Sequence, residues 1–501
     1  MAIPKVLGVE TEYGVRVTGE PDADPTVTSS LLVNAYAADA AARVGWDFGD
    51  ESPGKDARGF VREGAAAPEI EANLVNTVLT NGARYYVDHA HPEYSTPECS
   101  TPLELVAQDK AGELVLAASV AAARPLLPAA GRIAVYKNNS DGKGNSYGCH
   151  ENYLVDRAVP FSTIVRDLTA HLVTRQVYTG AGKVGCEEVG RRSADFEIGQ
   201  RADFFEEEVG LETTLKRPII NTRDEPHANA ERYRRLHVIT GDANLAEVAT
   251  LLKVGVTAIV LLLIEDDALG PDELVLARPV QAMHTVSHDL TLRTPLDLAS
   301  GERMTATEVQ WRLLDLARKY NEVHGLEPLG DDGVGAYVLD RWESVLGALE
   351  SNASTLHRTL DWVAKLELID AYCARHDCGL DDHRVQLLDL QYHDLRAERS
   401  LFRRLGMERV VDDATIRRAV TDPPTTTRAY FRGECLKRYP GSIVAANWDS
   451  VVFDVGADPL RRVPMMEPLR GSAAYVATLL DRCGSAAELV GRLSGEEDRD
   501  G

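Results

Sequence analysis

The clearest pattern along the chain is a strict alternation of apolar and polar positions near its start. In residues 5–17 one face carries Leu7, Val9, Thr11, Tyr13, Val15 and Val17, and the other carries Glu10, Glu12 and Arg16. A period of two residues is typical of a half-buried β-strand. The pattern predicts a single strand whose polar face presents two carboxylates about 7 Å apart, given the rise of a strand.

Shorter patterns divide the rest of the chain into strands and helices. Further strands are predicted at residues 83–88, 132–137, 151–155, 218–221, 235–240 and 443–455. Helices are predicted at residues 29–44, 102–123, 161–177, 244–264, 306–320, 336–349, 355–375, 382–406, 428–438 and 472–480. Two helix starts carry a Thr followed three residues later by Glu, at Thr101 and at Thr305, which is the capping-box pattern. Strands interrupted by helices and followed by a helical block predict an α+β fold.

Two segments break these patterns. Residues 46–73 are dominated by Gly, Pro and charged positions, and a loop of this length in a compact domain is either functional or a tolerated insertion. The segment Asp422-Pro423-Pro424-Thr425 is the best boundary signal. It predicts a large domain at 1–422 that would carry the catalytic site, and a small C-terminal domain at 423–501 with a disordered acidic tail.

Composition limits the kinds of partner. The chain has 501 residues with 54 Lys+Arg and 78 Asp+Glu, a net charge of −24. This charge argues against binding to nucleic acid or to an anionic membrane. Seven scattered cysteines without a CxxC pair fit a reducing compartment. With no signal-like apolar segment at the start and a longest apolar run at 254–264, the sequence predicts a soluble cytoplasmic protein.

The strand at 83–88 adds three polar side chains on one face: Arg84, Tyr86 and Asp88. Together with Glu10 and Glu12, this set could hold Mg²⁺ and a nucleotide phosphate, because Mg²⁺ prefers oxygen ligands and Arg binds phosphate in a fork. The alternative is a solvated sheet face with ordinary ion pairs. Spacing alone favours that alternative.

Weaker patterns each have an ordinary explanation. The GxGxxG match at 180–185 follows a helix-like segment rather than a strand, so a glycine turn is favoured over a nucleotide loop. Ser287-His288-Asp289 has the residue types of a triad, but consecutive residues cannot converge on one reacting atom. His89, His91 and Glu93 could bind zinc, although no HExxH motif is present. Trp448, in a short apolar strand, is more typical of a core residue than of a stacking platform.

Basic residues concentrate in one short segment. Between residues 216 and 235 there are six basic and three acidic side chains, a local charge of +3. The segment is interpreted either as a hairpin connection with internal ion pairs or as an anion-binding edge.

Longer motifs identify a family. They are GVETEYG at 8–14, NGARYYVD at 81–88, HPEY at 91–94, KNN at 137–139, SYGCHENY at 146–153, IINTRDEPH at 219–227 and YRRLH at 233–237. Together they resemble the Pup ligase/depupylase family of actinobacteria over nearly the whole chain. One branch ligates the ubiquitin-like protein Pup to lysines, and the other deamidates and removes Pup. The 46–73 insertion and the form of residues 88–92 resemble the second branch.

The resemblance implies a glutamine synthetase-like fold, with a curved antiparallel sheet that cradles ATP, helices behind it and a small C-terminal domain. By position, Asp88 matches the catalytic aspartate. Arg84, Thr96 and Trp448 match nucleotide-binding positions, and Glu10, Tyr86 and Glu93 match magnesium-associated positions. Further residues lie in family motifs without an assigned role: Glu12, His150, Arg223, His227 and His237.

The implied activity is that of an amidohydrolase and isopeptidase. It would deamidate the C-terminal glutamine of Pup and cleave the Pup–lysine bond, with ATP (or ADP plus phosphate) and Mg²⁺ bound and Asp88 acting as nucleophile or base. The alternatives are a Pup–protein ligase and a catalytically idle, ATP-dependent Pup-binding module. Implied partners are Pup and pupylated proteins, with a functional link to the bacterial proteasome. Because Pup is itself acidic in this family, we expect a basic groove that includes Arg223, Arg234 and Arg235.

Overall fold

The computed structural model describes residues 1–20, 22–39, 44–49, 51–62, 75–127, 131–185, 195–270, 274–456 and 459–495. The strands are β1 Leu7–Glu12, β2 Gly14–Thr18, β3 Gly45–Trp46, β4 Asn76–Val78, β5 Arg84–Asp88, β6 His91–Ser95, β7 Arg132–Tyr136, β8 Cys149–Asp156, β9 Lys183–Val184, β10 Phe196–Glu197, β11 Phe205–Gly210, β12 Arg217–Asn221, β13 Tyr233–Val238, β14 Leu296–Asp297, β15 Arg303–Met304, β16 Ile443–Ala446, β17 Ser450–Phe453 and β18 Arg461–Pro464.

The α-helices alternate with these strands and dominate after residue 300. They are α1 Pro25–Asp39, α2 Pro102–Ala123, α3 Phe161–Thr174, α4 Gln176–Thr179, α5 Glu247–Glu265, α6 Pro279–His288, α7 Ala306–His324, α8 Val334–Asn352, α9 Asp361–His376, α10 His383–Tyr392, α11 Leu401–Leu405, α12 Asp413–Ala419, α13 Ala429–Arg438, α14 Ala473–Arg482 and α15 Ala486–Ser494. Short 3₁₀ turns occur at Arg124–Leu126, Ala202–Phe204, Glu327–Leu329 and Ala353–Leu356.

The largest sheet has six strands in the order β13-β8-β1-β6-β5-β4, and every neighbouring pair is antiparallel. One face of this sheet is apolar and buried, with Val9, Tyr85 and Tyr94 among its side chains. The helices α1, α2 and α5 pack against strands of this sheet. The predicted α+β class, with an antiparallel sheet backed by helices, is confirmed.

The alternation at residues 5–17 forms two strands rather than the predicted one. β1 belongs to the six-stranded sheet, whereas β2 pairs only with β7 in a separate two-stranded sheet. The break falls at Tyr13, whose N–H donates to the carbonyl of Pro92 at 3.0 Å. A Cβ at the next residue, Gly14, would lie 2.6 Å from the Tyr147 hydroxyl, so only glycine allows this close approach.

The helix α5 lies at the centre of the protein. It is longer than the apolar run noted in the sequence, and its 19 residues would be long and apolar enough to cross a membrane. Its most apolar 18-residue window is completely enclosed by protein. Its apolar character on all sides is therefore explained by burial in the core.

The C-terminal part differs from its prediction in detail. The single strand predicted at 443–455 is a hairpin, β16 and β17, because the Asn447 side chain accepts hydrogen bonds from the backbone N–H groups of Asp449 and Ser450 and bends the chain there. Trp448 therefore lies in a turn and not in a strand. The helix predicted at 382–406 is divided into α10 and α11, and α15 was not predicted.

The C-terminal strands also pair with an early part of the chain. β3 runs parallel to β16 and completes a four-stranded sheet in the order β18-β17-β16-β3. Val44, Trp46 and Val78 join a second apolar cluster whose other buried members lie between Phe431 and Val490. The start of the predicted 46–73 loop is thus part of the packing of the C-terminal segment.

Candidate active site

The polar face of the six-stranded sheet brings the predicted acidic residues together. Across the strands β1, β6 and β5, Glu12 pairs with Glu93 and Glu93 pairs with Tyr86. Asp88 lies at the end of β5, opposite His91. The two predicted strands are joined through β6, which the sequence did not predict as a strand, and side chains two residues apart share a face.

Glu12, Asp88 and Glu93 form a compact carboxylate cluster. Their nearest oxygen atoms all lie within 4.8 Å of one another. Glu12 accepts a hydrogen bond from the Gly148 N–H at 2.8 Å, and its other oxygen lies 3.0 Å from His91 Nδ1. Such a cluster of oxygen atoms matches the donors that a hard divalent cation prefers.

The charges of this cluster affect one another. Burial, followed by the charges of Asp88 and Glu12, raises the pKa of Glu93 well above its usual value. Burial would also raise the pKa of Asp88, but a hydrogen bond from His89 and nearby positive charges outweigh it and lower that pKa. Asp88 is therefore ionised at neutral pH, while Glu93 is crowded by negative charge that a cation would offset.

Glu10 lies in a second group with His150 and His237, whose candidate ligand atoms are also within 4.8 Å of one another. Glu10 accepts a hydrogen bond from Asn152 Nδ2 at 2.8 Å. Although burial opposes ionisation, the hydrogen bond with His150 and the charge of Arg235 lower the pKa of Glu10 well below its usual value. Among the predicted magnesium residues, Glu93 is thus grouped with Glu12 and Asp88, and Glu10 with two histidines.

Tyr86 lies between Arg84 and the carboxylates. Burial, together with the charge of Glu93, raises the pKa of its phenol well above the usual value. The phenol therefore stays protonated and can donate a hydrogen bond as well as offer its oxygen atom.

A cavity opens beside the carboxylates, along the first half of β1. All three residues predicted to contact a nucleotide, Arg84, Thr96 and Trp448, line it. Four other predicted site residues also line it: Glu10, Tyr86, Arg223 and His227. Asp88, Glu12, Glu93, His150 and His237 are not among its lining residues, so the acidic cluster lies outside the cavity wall.

Arg84 is fixed by aromatic rings on two sides. Its guanidinium carbon is 3.8 Å from the ring centre of Tyr86 and 4.1 Å from that of Trp46, and its Nε donates to Asn76 Oδ1 at 2.9 Å. Trp46 meets Trp448 edge to face, with ring centres 5.1 Å apart. This arrangement orients the guanidinium for an anionic ligand, because few of its rotamers remain available.

Thr96 has a backbone hydrogen-bond partner, and the rings of His227 and His237 are both buried. Thr96 Oγ1 accepts a hydrogen bond from the Val9 N–H at 3.0 Å, which holds this side chain at the floor of the cavity. Burial, followed by the charge of Arg235, lowers the pKa of His227 well below its usual value. Burial is also the main reason that the pKa of His237 is low. Both rings are therefore neutral at pH 7.

The prediction that Arg223, Arg234 and Arg235 share one basic groove is wrong. Arg235 faces the cavity and donates to Asn152 Oδ1 at 2.6 Å, but Arg234 donates to the Val159 carbonyl on the other side of β13. Neighbouring residues of a strand point to opposite faces, so these two guanidinium groups cannot share one groove.

The described part of the predicted 46–73 loop lies at the edge of the cavity. The Ala57 N–H donates to the Thr222 carbonyl at 2.8 Å, and Thr222 Oγ1 donates to Asp56 at 2.6 Å. Glu51 and Pro53 line the cavity itself. Residue 50 and residues 63–73 of this loop lie outside the described residues.

The weaker sequence patterns lie elsewhere or have other partners. In the 180–185 segment, the Ala181 N–H donates to Asp242, and the segment is a connection between α4 and β9. Ser287 Oγ donates to the Gly199 carbonyl at 3.3 Å, and His288 Nε2 pairs with Asp203 at 2.9 Å rather than with the adjacent Asp289. His89 and His91 each bond a different carboxylate, Asp88 and Glu12.

Sequence reasoning missed one ionic group of the cavity. Glu98 lines the cavity and pairs with Arg428 at 2.8 Å and with Arg432. Burial opposes its ionisation, but the charges of these two arginines lower the pKa of Glu98 to about 2. Glu98 lies 330 and 334 positions before the two arginines in the chain, and no local pattern marks the pairing.

Comparison with known proteins places this site in a family. The family described as Pup-ligase protein matches residues 5–452. The chain therefore belongs to the Pup-ligase family. It is 53% identical to the depupylase of Acidothermus cellulolyticus over 98% of this chain and 99% of that protein. It is 49% identical to the Pup deamidase/depupylase of Mycobacterium tuberculosis, again over 98% and 99% of the two chains.

Solved structures agree with this placement. The ligase PafA in its complex with Pup matches with a TM-score of 0.80 and 33% identity, over 99% of this chain and 94% of that chain. The ligase PafA in complex with ADP matches with a TM-score of 0.73 and 37% identity, over 83% and 91% of the two chains.

Proposed function

We propose that this protein is a hydrolase that deamidates the C-terminal glutamine of Pup and cleaves the isopeptide bond between Pup and lysine. The observation that carries the proposal is Asp88, an ionised carboxylate beside Glu12 and Glu93 and next to an arginine-lined cavity. Its substrates are then Pup and pupylated proteins, and its physiological link is to proteasomal degradation. The names of the two relatives above support this branch over the ligase branch.

The residues fit a bound ATP, or ADP with phosphate, and Mg²⁺. Arg84, Thr96 and Trp448 line one cavity and would hold the nucleotide. Glu10, Tyr86 and Glu93 would hold the metal, and the proximity of Glu12 to Glu93 adds a further oxygen donor. When bound, Mg²⁺ would offset the carboxylate charge and polarise the scissile carbonyl. The ligase structure with ADP supports a nucleotide site in this fold.

Asp88 has two possible roles in the reaction. As a nucleophile, its oxygen attacks the amide carbon, ammonia or the lysine amine leaves with a proton, and water hydrolyses the resulting anhydride. As a base, it takes a proton from the water that attacks the same carbon. In both routes Asp88 must be ionised, and the hydrogen bond from His89 supports that state.

An acidic partner requires a positive surface, and the structure offers one away from Arg223 and Arg235. A groove of about 690 Å³ lies between β2, β7 and the helices α2 and α10. Arg16, Arg124, Arg132 and Arg399 line it, and none of them forms an ion pair with another described residue. Apolar side chains such as Ile133 and the exposed Leu387 line the same groove. We assign this groove, named the arginine groove, to the body of Pup.

A deamidation assay tests the proposal. Pup ending in glutamine, incubated with the protein, ATP and Mg²⁺, should release ammonia, and a Pup–protein conjugate should release free Pup. Net accumulation of conjugates from Pup ending in glutamate would instead favour a ligase. Absence of ammonia release despite binding of Pup would favour an idle binding module.

A further inference from the structure

Arg432 is a fully buried arginine in the first turn of α13, and it contacts three segments that surround the cavity. Its Nε and Nη2 donate to the Gly82 carbonyl at 3.1 and 2.9 Å. Its Nη1 donates to the Trp448 carbonyl at 3.1 Å, and both Nη atoms donate to Glu98. Arg432 itself is not among the lining residues of the cavity, so any effect on a ligand must pass through these partners.

Trp448 is the partner whose ring links Arg432 to the cavity. It lies in the turn between β16 and β17, where no strand pairing fixes the side chain. The Arg432 guanidinium carbon is 5.2 Å from its ring centre, and the Trp448 ring meets Trp46, which stacks on Arg84. The contacts of Arg432 therefore extend through two tryptophan rings to the guanidinium that faces the cavity.

The other two partners lie close to Arg84 and in the cavity wall. Gly82 lies in the turn before β5, two residues from Arg84, and Glu98 lines the cavity. A Cβ at Gly433 would lie 2.4 Å from the Thr80 carbonyl, so α13 approaches the same turn as closely as a glycine allows. Arg432 can bond all three segments at once, because one guanidinium supplies five N–H donors in fixed directions.

We propose that Arg432 is a positioning residue for an adenine nucleotide, which it never touches. It holds Trp448, Glu98 and the turn before Arg84 in the arrangement that receives the base and phosphates. This inference rests on the proposed function to the extent that the cavity takes ATP. It assigns the C-terminal helix α13 a role in nucleotide affinity rather than in the chemistry at Asp88.

Calorimetry with ATP on the full-length protein tests this role. R432M should weaken ATP binding by about tenfold, because three segments lose a shared donor group. The kcat for deamidation at saturating ATP should change less than about threefold, since Asp88 and Glu12 remain in place. R432K should bind ATP with intermediate affinity, because lysine donates hydrogen bonds but lacks the planar fork.

A matched control and a second variant keep the outcome interpretable. R438M removes a partly exposed arginine from the same helix and should bind ATP like the wild type. In a cycle of R432K with W448L, the two losses in ATP affinity should be less than additive if Arg432 acts through Trp448. If R432M does not fold, R432K and this cycle decide the question.

The results that overturn the inference differ from those that overturn the proposed function. Unchanged ATP affinity in folded R432M or R432K would show that Arg432 is only structural, and fully additive losses in the cycle would overturn its action through the Trp448 ring. A loss of kcat with unchanged affinity would also contradict it. A wild-type protein that fails to bind ATP would instead remove the nucleotide from the proposed function.

Discussion

The two ends of the site are built in opposite ways. At the acidic end, Glu12, Asp88 and Glu93 come from three adjacent strands, and their charges crowd one another. At the nucleotide end, Arg84 is stacked on the Trp46 ring and Arg428 is paired with Glu98. The acidic end stores unfavourable electrostatic energy that a cation and substrate can relieve, whereas the other end is satisfied by the protein itself. The reactive carboxylates and the rigid nucleotide end therefore occupy different parts of one site.

The largest effect should come from the acidic end. D88N should lower deamidation and depupylation by about a thousandfold, because the amide cannot act as a base or a comparable nucleophile. ATP binding should be retained, since Asp88 does not line the cavity. Stopped assays of ammonia and of free Pup measure both activities, with D289N as a control at a distant turn. Depupylation at the wild-type rate would remove Asp88 from the mechanism.

The nucleotide end should respond to acid through Glu98. The folded-state pKa of Glu98 is about 2, against 4.5 for the unperturbed group. Because the folded pKa is lower, the stabilisation is present above pH 4.5 and is lost as the pH falls towards 2. The free energy of unfolding should lose about 3 kcal/mol from this group over that range, and E98Q should lack this part.

Urea unfolding at several pH values measures the difference. E488Q, which removes a surface partner of Arg492, serves as the matched control and should follow the wild type. A wild type and E98Q that lose stability in parallel between pH 4.5 and 2 would mean that Glu98 is not held ionised by its two arginines.

The arginine groove separates binding of Pup from both ends of the site. The double reversal R16E/R132E should raise the KM for Pup by about tenfold and leave kcat nearly unchanged, through lost electrostatic attraction. The KM of the wild type should also rise with added NaCl, and that of the variant should rise less. R293E/R482E makes the same change of charge away from the groove. Equal KM values for the two double variants would contradict the assignment.

The smallest effect concerns the loop at the edge of the cavity. Because Trp46 belongs to the C-terminal packing, a deletion should begin after it, and replacing residues 52–73 by a short linker leaves that packing intact. We expect kcat or KM to change by several-fold, with a melting temperature within a few degrees of the wild type. A large fall in melting temperature would indicate a structural role of the loop and not a role in catalysis.

The acidic end was largely predictable from sequence, whereas the nucleotide end was not. Alternation places Glu10 and Glu12 on one face of β1, and Arg84 and Asp88 on one face of β5, wherever the strands go. The neighbour that joins them, β6, begins His91-Pro92-Glu93 and is buried at four of its five positions, so no alternation marks it. The turn at Trp448 depends on one side chain, Asn447. The hydrophobic pattern over residues 443–455 does not reveal a turn that one side chain produces.

Contacts between distant segments explain the remaining failures. Glu98 and Arg432 pair across 334 positions, and Trp46 meets Trp448 across a similar separation. None of these four residues carries a local signal, because nothing in the neighbouring sequence marks its distant partner. The prediction of a basic groove from the cluster at 216–235 failed although the local signal was present. The positive charge is real, but Arg234 and Arg235 lie on opposite faces of β13.

The parallel pairing of β3 with β16 has a consequence for biosynthesis. Residues 45 and 46 can pair with Ala445 and Ala446 only after the ribosome has synthesised all the residues between them. Contacts of such sequence separation form late and slowly. A nascent or prematurely terminated chain would carry the carboxylates of the main sheet without the wall that Trp448 provides. Synthesis of β16 thus precedes completion of the nucleotide site.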